Sequence, residues 1–283
     1  MTGSSTLHPS TGFAGINLAC GGKLCREPGW INADHNPSAK DVVKVDLLGQ
    51  LPFPDQSFDV VYHSQFIEHL PADKALAFMR ECFRILKPKG VLRVVTPDLQ
   101  DQATEYLRTL QAVLASPDDE QARLRYEWIR LEMLDQLTRH ASGGEMVPFL
   151  QDSGLKVRDY LVQRMGRSGE NLIPVPEDAA TVSTAKKLLR PVRDGLRAGK
   201  DKLLPTAHAV GSFRLSGESH LCMYDAYLLS QLLRRAGFDC IAKVGARDSR
   251  LPGWDKTLLD CDPQGRPDCG VSLFMEAARP ANT

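Results

Sequence analysis

Two carboxylates and a pair of glycines stand at spacings that suit a nucleoside. Gly21-Gly22 follows the run Ile16-Asn17-Leu18-Ala19-Cys20, Asp34 closes Trp30-Ile31-Asn32-Ala33, and Asp46 closes Asp41-Val42-Val43-Lys44-Val45. Short apolar runs bounded by Gly, Pro and Asp read as buried parallel strands. In an open α/β sheet, ligands sit just outside the carboxyl ends of such strands, and all three features fall at that edge. The spacing also restricts the ligand. A dinucleotide site needs a full helix after the glycine turn, so that its N-terminus can hold a pyrophosphate. Here about eight residues separate Gly22 from Ile31, Pro28 and Gly29 among them, whereas a parallel crossover normally takes a dozen or more. The GxGxxG fingerprint is absent as well. A nucleoside-type cofactor without phosphates fits better.

The elements that must position this edge follow in order. Leu51 to Ser57 is a proline-rich turn, and Phe58 to Ser64 reads as a fourth strand. Gln65 to Pro71 is a linker. Asp73 to Leu86 carries apolar residues at Leu76, Met79, Phe83 and Leu86, a helical stripe. Lys87-Pro88-Lys89-Gly90 is expected to stop that helix, and Val91 to Pro97 reads as a fifth strand. Together these form a βαβ unit.

From Asp98 to about Gly217 the alternation of strands and helices ceases. Gln102–Leu114 and Glu120–Thr138 are helical by period, Ser142 to Glu145 is a loop, and Asp178–Leu204 is again helical with an interruption at Pro191. An insertion at this point lies beside the carboxyl-end face of the sheet and is well placed to be a lid or substrate wall. The sheet resumes with a helix after Met223-Tyr224-Asp225, closed by Ala236-Gly237, then strands over Asp239–Ala246 and Val271–Ala277. These last two could pair antiparallel at the edge. The expected organisation is thus a tail over 1–12, a cofactor-binding half over 13–100, a helical insertion over 101–217 and completion of the same sheet over 218–283.

Composition excludes several classes of function. The 283-residue chain is 42% apolar and 25% charged, as soluble globular proteins are. Its 35 basic and 35 acidic residues cancel, so no global field draws nucleic acid or a membrane. No run approaches the roughly 18 apolar residues of a membrane span. The 7 cysteines, at 20, 25, 82, 222, 240, 261 and 269, include no CxxC pair. Reduced thiols in a cytoplasmic compartment are expected, with no structural metal.

The residues quoted so far resemble class I S-adenosylmethionine-dependent methyltransferases. Asn17 to Gly22 looks like that family's first motif, and Leu51 to Val61 is similar to its fourth-strand signature. Glu68-His69-Leu70 and Leu86 to Leu92 match the segments that follow. The likeness is dense over roughly 14–98 and looser over 220–278. Glu127 to Met146 further resembles an insertion of a bacterial subset of these enzymes. The resemblance implies a Rossmann-like, seven-stranded, mostly parallel sheet with an antiparallel C-terminal edge, plus a helical lid. The implied cofactor is S-adenosyl-L-methionine, and the implied activity is methyl transfer to a small-molecule or sugar acceptor in biosynthesis. Nucleic acid and stable membrane insertion are not implied, and a homo-oligomer is compatible. An enzyme of the same fold that cleaves or cyclises S-adenosylmethionine without methyl transfer is the alternative.

By the same resemblance, Gly21 lets backbone approach the methionine portion of the cofactor. Asp34, with His35 beside it, accepts the ribose hydroxyls, two oxygens facing a vicinal diol; an Asx turn with Asn36-Pro37 is its bland reading. Asp46 and the Leu47 backbone take the adenine, and His63 and Ser64 leave the fourth strand beneath the sulfonium. Two further positions that the resemblance assigns to cofactor binding depart from the family's usual residues. Asn17 stands where an acidic residue is usual, and Ala19 where the first glycine is usual, which Ala tolerates only if φ is negative there. For proton transfer the candidates are His69, whose type titrates near neutrality, and Glu132, Asp135 and Arg139, which with Gln136 share a helix face. Helix capping for His69, and a solvated face for the other group, remain open. Lys186 to Lys202 carries seven basic residues against Asp194 and Asp201, a run that suits an anionic surface or simply solvent.

Overall fold

The computed structural model describes residues 12–173 and 207–281. The expected tail, apart from Gly12, and the expected helix over Asp178–Leu204 with its basic run lie outside the described residues.

Seven strands form one sheet in the order β3-β2-β1-β4-β5-β7-β6. They are β1 Gly15–Leu18, β2 Trp30–Asp34, β3 Val42–Lys44, β4 Phe58–Ser64, β5 Leu86–Pro97, β6 Asp239–Val244 and β7 Ser272–Ala278. The first five pair in parallel, and β7 runs against both β5 and β6. This is the mostly parallel sheet with an antiparallel C-terminal pair expected from the sequence. The helices are α1 Ala72–Ile85, α2 Leu99–Ala115, α3 Glu120–Thr138, α4 Met146–Asp152, α5 Arg158–Glu170, α6 Ala207–Arg214 and α7 Ala226–Ala236. Helix α5 is broken at Gly166, which has φ 69°.

The chain divides into two compact units. Among the described residues, one comprises 12–104, 162–168 and 221–281; the other comprises 105–161, 169–173 and 207–220. The first contains the whole sheet. Val162–Ser168, read from sequence as part of the insertion, groups with the sheet: Val271 N–H donates to the Arg164 carbonyl at 3.0 Å.

In the sheet unit, α1 and α7 pack together and cover one face. Ala75, Phe78, Met79, Cys82 and Ile85 of α1 and Leu229, Leu232, Leu233 and Ala236 of α7 are buried. Both sets follow the helical repeat, which is why these segments fold as helices against a sheet; each large side chain so buried contributes about 1.5–3 kcal/mol. Asp225 caps α7 by accepting the Leu228 N–H at 2.7 Å, and Gly237 ends it in the left-handed conformation at φ 108°.

The opposite face carries a row of buried polar side chains. Asn32, Asn17, Tyr62, Arg93 and Glu276 are successive register partners across β2, β1, β4, β5 and β7. None is more than 5% exposed. Two non-helical excursions, 20–29 and 245–271, lie against this row, and their buried backbone groups need partners. Arg93 donates to the carbonyls of Gly245, Ala246 and Asp248, to Asp260 Oδ2 at 2.7 Å and to Glu276 Oε1 at 2.8 Å. Tyr62 Oη donates to Asp260 Oδ1 at 2.7 Å. The Arg93 guanidinium also lies 4.7 Å from the Trp254 ring centroid. The β6–β7 connection, read from sequence as having no clear helix, thus holds only one short 3-10 turn, Trp254–Thr257, among named elements.

Several local expectations are corrected. Strand β5 begins at Leu86, five residues earlier than Val91, because Leu86 already pairs with Phe58. The helix before it stops at Ile85, ahead of the Lys-Pro-Lys-Gly stretch, since Leu86 at ψ 138° is already extended. The linker after β4 contains a 3-10 turn, Ile67–His69. Helices α4, α5 and α6 were not anticipated; their stretches carry Gly or Pro that weakens the helical signal.

Candidate cofactor site

The turn after β1 is built by backbone. Ala19 and Gly21 both have φ 53°, and the Lys23 N–H donates to the Cys20 carbonyl at 2.8 Å. The condition of a negative φ at Ala19 is therefore not met: alanine occupies a left-handed conformation that glycine would take without steric cost. Asn17, assigned to the cofactor by resemblance, is turned inward. It is 1% exposed and donates from Nδ2 to the Lys23 carbonyl at 2.7 Å and to Asn32 Oδ1 at 3.0 Å. Asn32 was not singled out from sequence. The available signal was an amide in each of two adjacent apolar runs, and it needed the strand register to be read.

Asp34 is the last residue of β2 and reaches back to that turn. Its Oδ2 accepts the Gly21 N–H at 2.8 Å, and its Oδ1 accepts the Asn36 N–H at 2.8 Å. The Asx turn and the position facing the glycine turn thus coexist, and each carboxylate oxygen keeps a second lone pair. Ser38 Oγ donates to the Gly21 carbonyl, tying the β2–β3 connection to the same turn. His35 is exposed at this corner. Asp46, two residues beyond β3, is exposed and accepts the Leu48 N–H at 2.9 Å, with Leu47 buried beside it.

Space and chemistry at this edge fit a nucleoside. A Cβ placed on Gly21 or Gly22 would meet nothing within 4 Å, so the turn borders an open region. A half-buried carboxylate at Asp34 and an exposed one at Asp46 flank that side of the sheet. A pyrophosphate fits poorly, because the Gly21 N–H is already given to Asp34 and no helix follows the turn.

The end of β4 differs from expectation at His63. Rather than facing the edge beneath a ligand, its ring is fully buried, 5.1 Å edge-on from Phe78 of α1. Neither ring nitrogen has a hydrogen-bond partner. Burial pushes its pKa down to about 3, so it is neutral. Ser64 is half-buried at the strand end, and Gln65 after it has φ 52°. In the 3-10 turn that follows, His69 is half-buried and Glu68 fully buried. Glu68 Oε2 accepts the Thr96 hydroxyl at 3.0 Å, and burial raises its carboxyl to about 7. Its backbone carbonyl accepts the N–H groups of Leu221 and Cys222 at 2.7 and 3.1 Å.

In the second unit, the polar face of α3 is engaged locally. Glu132 Oε2 accepts the Trp128 indole N–H at 2.9 Å. Asp135 is buried, accepts the Glu145 N–H at 2.8 Å through Oδ1, and stands where any side chain on Gly144 would collide with it. Arg139 lies just past the end of α3 and donates to Gln136 Oε1 at 2.6 Å and to the Glu218 carbonyl at 3.3 Å. The shared helix face read from sequence is in part an internal fastening of the 139–146 loop.

Residues 28–94 match the model of a methyltransferase domain family. A protein of Mycolicibacterium smegmatis, named a probable S-adenosylmethionine-dependent methyltransferase, is 55% identical over 51 residues, 18% of this chain and 19% of that protein. A sterol 24-C-methyltransferase of Gibberella zeae is 31% identical over 117 residues, 41% of this chain and 26% of that protein. The chain thus spans only a fifth to a quarter of these curated relatives. A methyltransferase structure from Archaeoglobus fulgidus overlaps 96% of this chain and 88% of its own, at 13% identity and a TM-score of 0.38, too slight a likeness to carry an argument. The matched methyltransferase-domain segment runs from the β1–β2 connection into β5 of the seven-stranded sheet, and that segment is where the chain is similar to the methyltransferase domain family.

Proposed function

We propose that this protein is an S-adenosylmethionine-dependent methyltransferase acting on a small-molecule or sugar acceptor. The observation that carries the reading is the Asp34–Gly21 link beside an open region at the carboxyl edge. There Asp34 would hold the ribose hydroxyls, Asp46 and the Leu47 backbone the adenine, and the Ala19–Gly22 turn the methionine portion. S-adenosylmethionine supplies an electrophilic methyl group on a sulfonium. The chain's own task is then to orient a nucleophile and to exclude water. Buried neutral His63, packed on Phe78, adds no charge near that position and keeps the strand end rigid. For a hydroxyl acceptor we assign His69 as the proton-accepting group. Glu132 and Asp135 are held by Trp128 and Glu145, so neither is assigned as the base. The balanced net charge supports an acceptor that is not a polyanion.

The test is incubation with S-adenosylmethionine and a panel of hydroxylated metabolites and sugars, followed by chromatography and mass spectrometry. Acceptor-dependent S-adenosylhomocysteine with a methylated product is expected. Consumption of the cofactor to methylthioadenosine without any acceptor would replace transfer by cleavage.

A further inference from the structure

The glycine turn at the carboxyl edge has no helix behind it to hold it in place. Instead it rests on two buried amides. Asn32 donates to the Cys25 carbonyl at 2.9 Å and accepts the Cys25 N–H at 2.9 Å, so the backbone alone fixes which end of Asn32 is nitrogen. Its Oδ1 therefore faces Asn17, and Asn17 must present its NH2 group to Asn32 Oδ1 and to the Lys23 carbonyl. Both hydrogens of that NH2 group are used. Lys23 closes the turn by donating its own N–H to the Cys20 carbonyl. The far side of Lys23 is fastened too, its ammonium 2.7 Å from Asp268 Oδ2.

We infer that Asn17 is a positioning residue that sets the backbone of the 19–23 turn through the Lys23 carbonyl, and that its role requires an amide donor rather than an acid. The inference rests on the cofactor reading above for its functional consequence. The chemistry is one of donors against acceptors. A carboxylate at position 17, which is only 1% exposed, would place an oxygen against two acceptors that now lie 2.7 and 3.0 Å from Nδ2. Charged and acceptor-only, it could satisfy neither. Protonated, it would regain one donor. This chain therefore uses the position inwardly, to shape the turn, and leaves the carboxylate work at the edge to Asp34 and Asp46.

Asn17→Asp and Asn17→Ala in the full chain test this by calorimetric titration with S-adenosylhomocysteine, at neutral pH and near pH 5. The expected result is affinity lower by about tenfold or more for both variants at neutral pH. Affinity should return in part at the lower pH for Asn17→Asp only. In parallel, amide hydrogen exchange of the ligand-free protein should speed up over 20–25 in both variants, with the α1 and α7 amides unchanged. Native affinity in a folded Asn17→Ala protein, or exchange that rises equally throughout the sheet, would overturn the inference. If Asn17→Asp does not fold, Asn17→Ala introduces no buried charge and decides alone. Should the native protein itself not bind, the cofactor reading falls, while the exchange measurement still judges the role in the turn.

Discussion

Asp34 Oδ2 lies 2.8 Å from the backbone nitrogen of Gly21, joining the end of β2 to the turn that follows β1. The carboxylate thus orders the turn and stands beside the open region that the turn borders. Removing it takes away both functions at once. Asp34→Ala is expected to weaken S-adenosylhomocysteine binding by roughly a hundredfold, since hydrogen bonds to a charged group are worth about 1.5–3 kcal/mol each. Calorimetric titration measures this, and a change below about threefold would remove Asp34 from the site.

Ala19 offers a test by sign. Its φ of 53° costs an alanine roughly 1–2 kcal/mol relative to a helical or extended backbone. Glycine would remove that cost and lose about 0.4–1 kcal/mol to the freer unfolded chain. Ala19→Gly should therefore leave the protein between equally stable and about 1.5 kcal/mol more stable in urea titration. Replacing alanine by glycine at an unstrained strand position instead destabilises by about 0.5–1 kcal/mol.

Glu68 and His63 give opposite pH dependences. Glu68, raised from 4.5 to about 7, binds a proton more tightly in the folded state. Its contribution is complete below pH 4.5 and declines as pH rises to 7, by at most about 3 kcal/mol. His63, lowered from 6.5 to about 3, stays neutral when folded while the unfolded chain takes up a proton, so stability falls as pH drops through that interval. Urea titrations across pH should show the Glu68→Gln variant losing the first trend, and His63→Phe losing the second. A Glu68→Gln profile parallel to that of the native protein would contradict the burial argument.

Arg93 should be the most costly single deletion among these residues. Its side chain is fully buried between Asp260 and Glu276, and both acids would be left without their cation. Breaking a buried pair from one side costs about 3–5 kcal/mol. Arg93→Met should lower the melting temperature sharply and raise exchange over 245–271, where Arg93 now supports three carbonyls. Replacing Asp260 and Glu276 as well, by Leu, should recover part of the melting temperature because no unpaired charge remains.

Local features were legible because their causes are local. The helical period of α1, the Asp225–Gly237 bounds of α7, and the acidic ends near β2 and β3 all follow from residues within a turn or two of one another. The buried face of α1 is nevertheless Ala75, Phe78, Met79, Cys82 and Ile85, with Leu76 and Phe83 at its margin. The shortness of the 23–30 connection was equally readable, and with it the poor fit of a pyrophosphate. The turn geometry at Ala19 was not, since a residue name does not state its φ.

The sequence by itself determined the sheet class and the short connection after β1 that suits a nucleoside better than a pyrophosphate. Tertiary structure decided which way the polar residues face. Asn17, Asn32, Tyr62, Arg93 and Glu276 became one row only when β2, β1, β4, β5 and β7 were set side by side in register. His63, which the resemblance puts beside the ligand, is a core residue because it faces α1 rather than the edge. Strand periodicity fixes that alternate side chains share a face, but which face each set takes, and what covers it, depends on partners as far away as Asp260 and Glu276, brought to Arg93 by the folded chain alone.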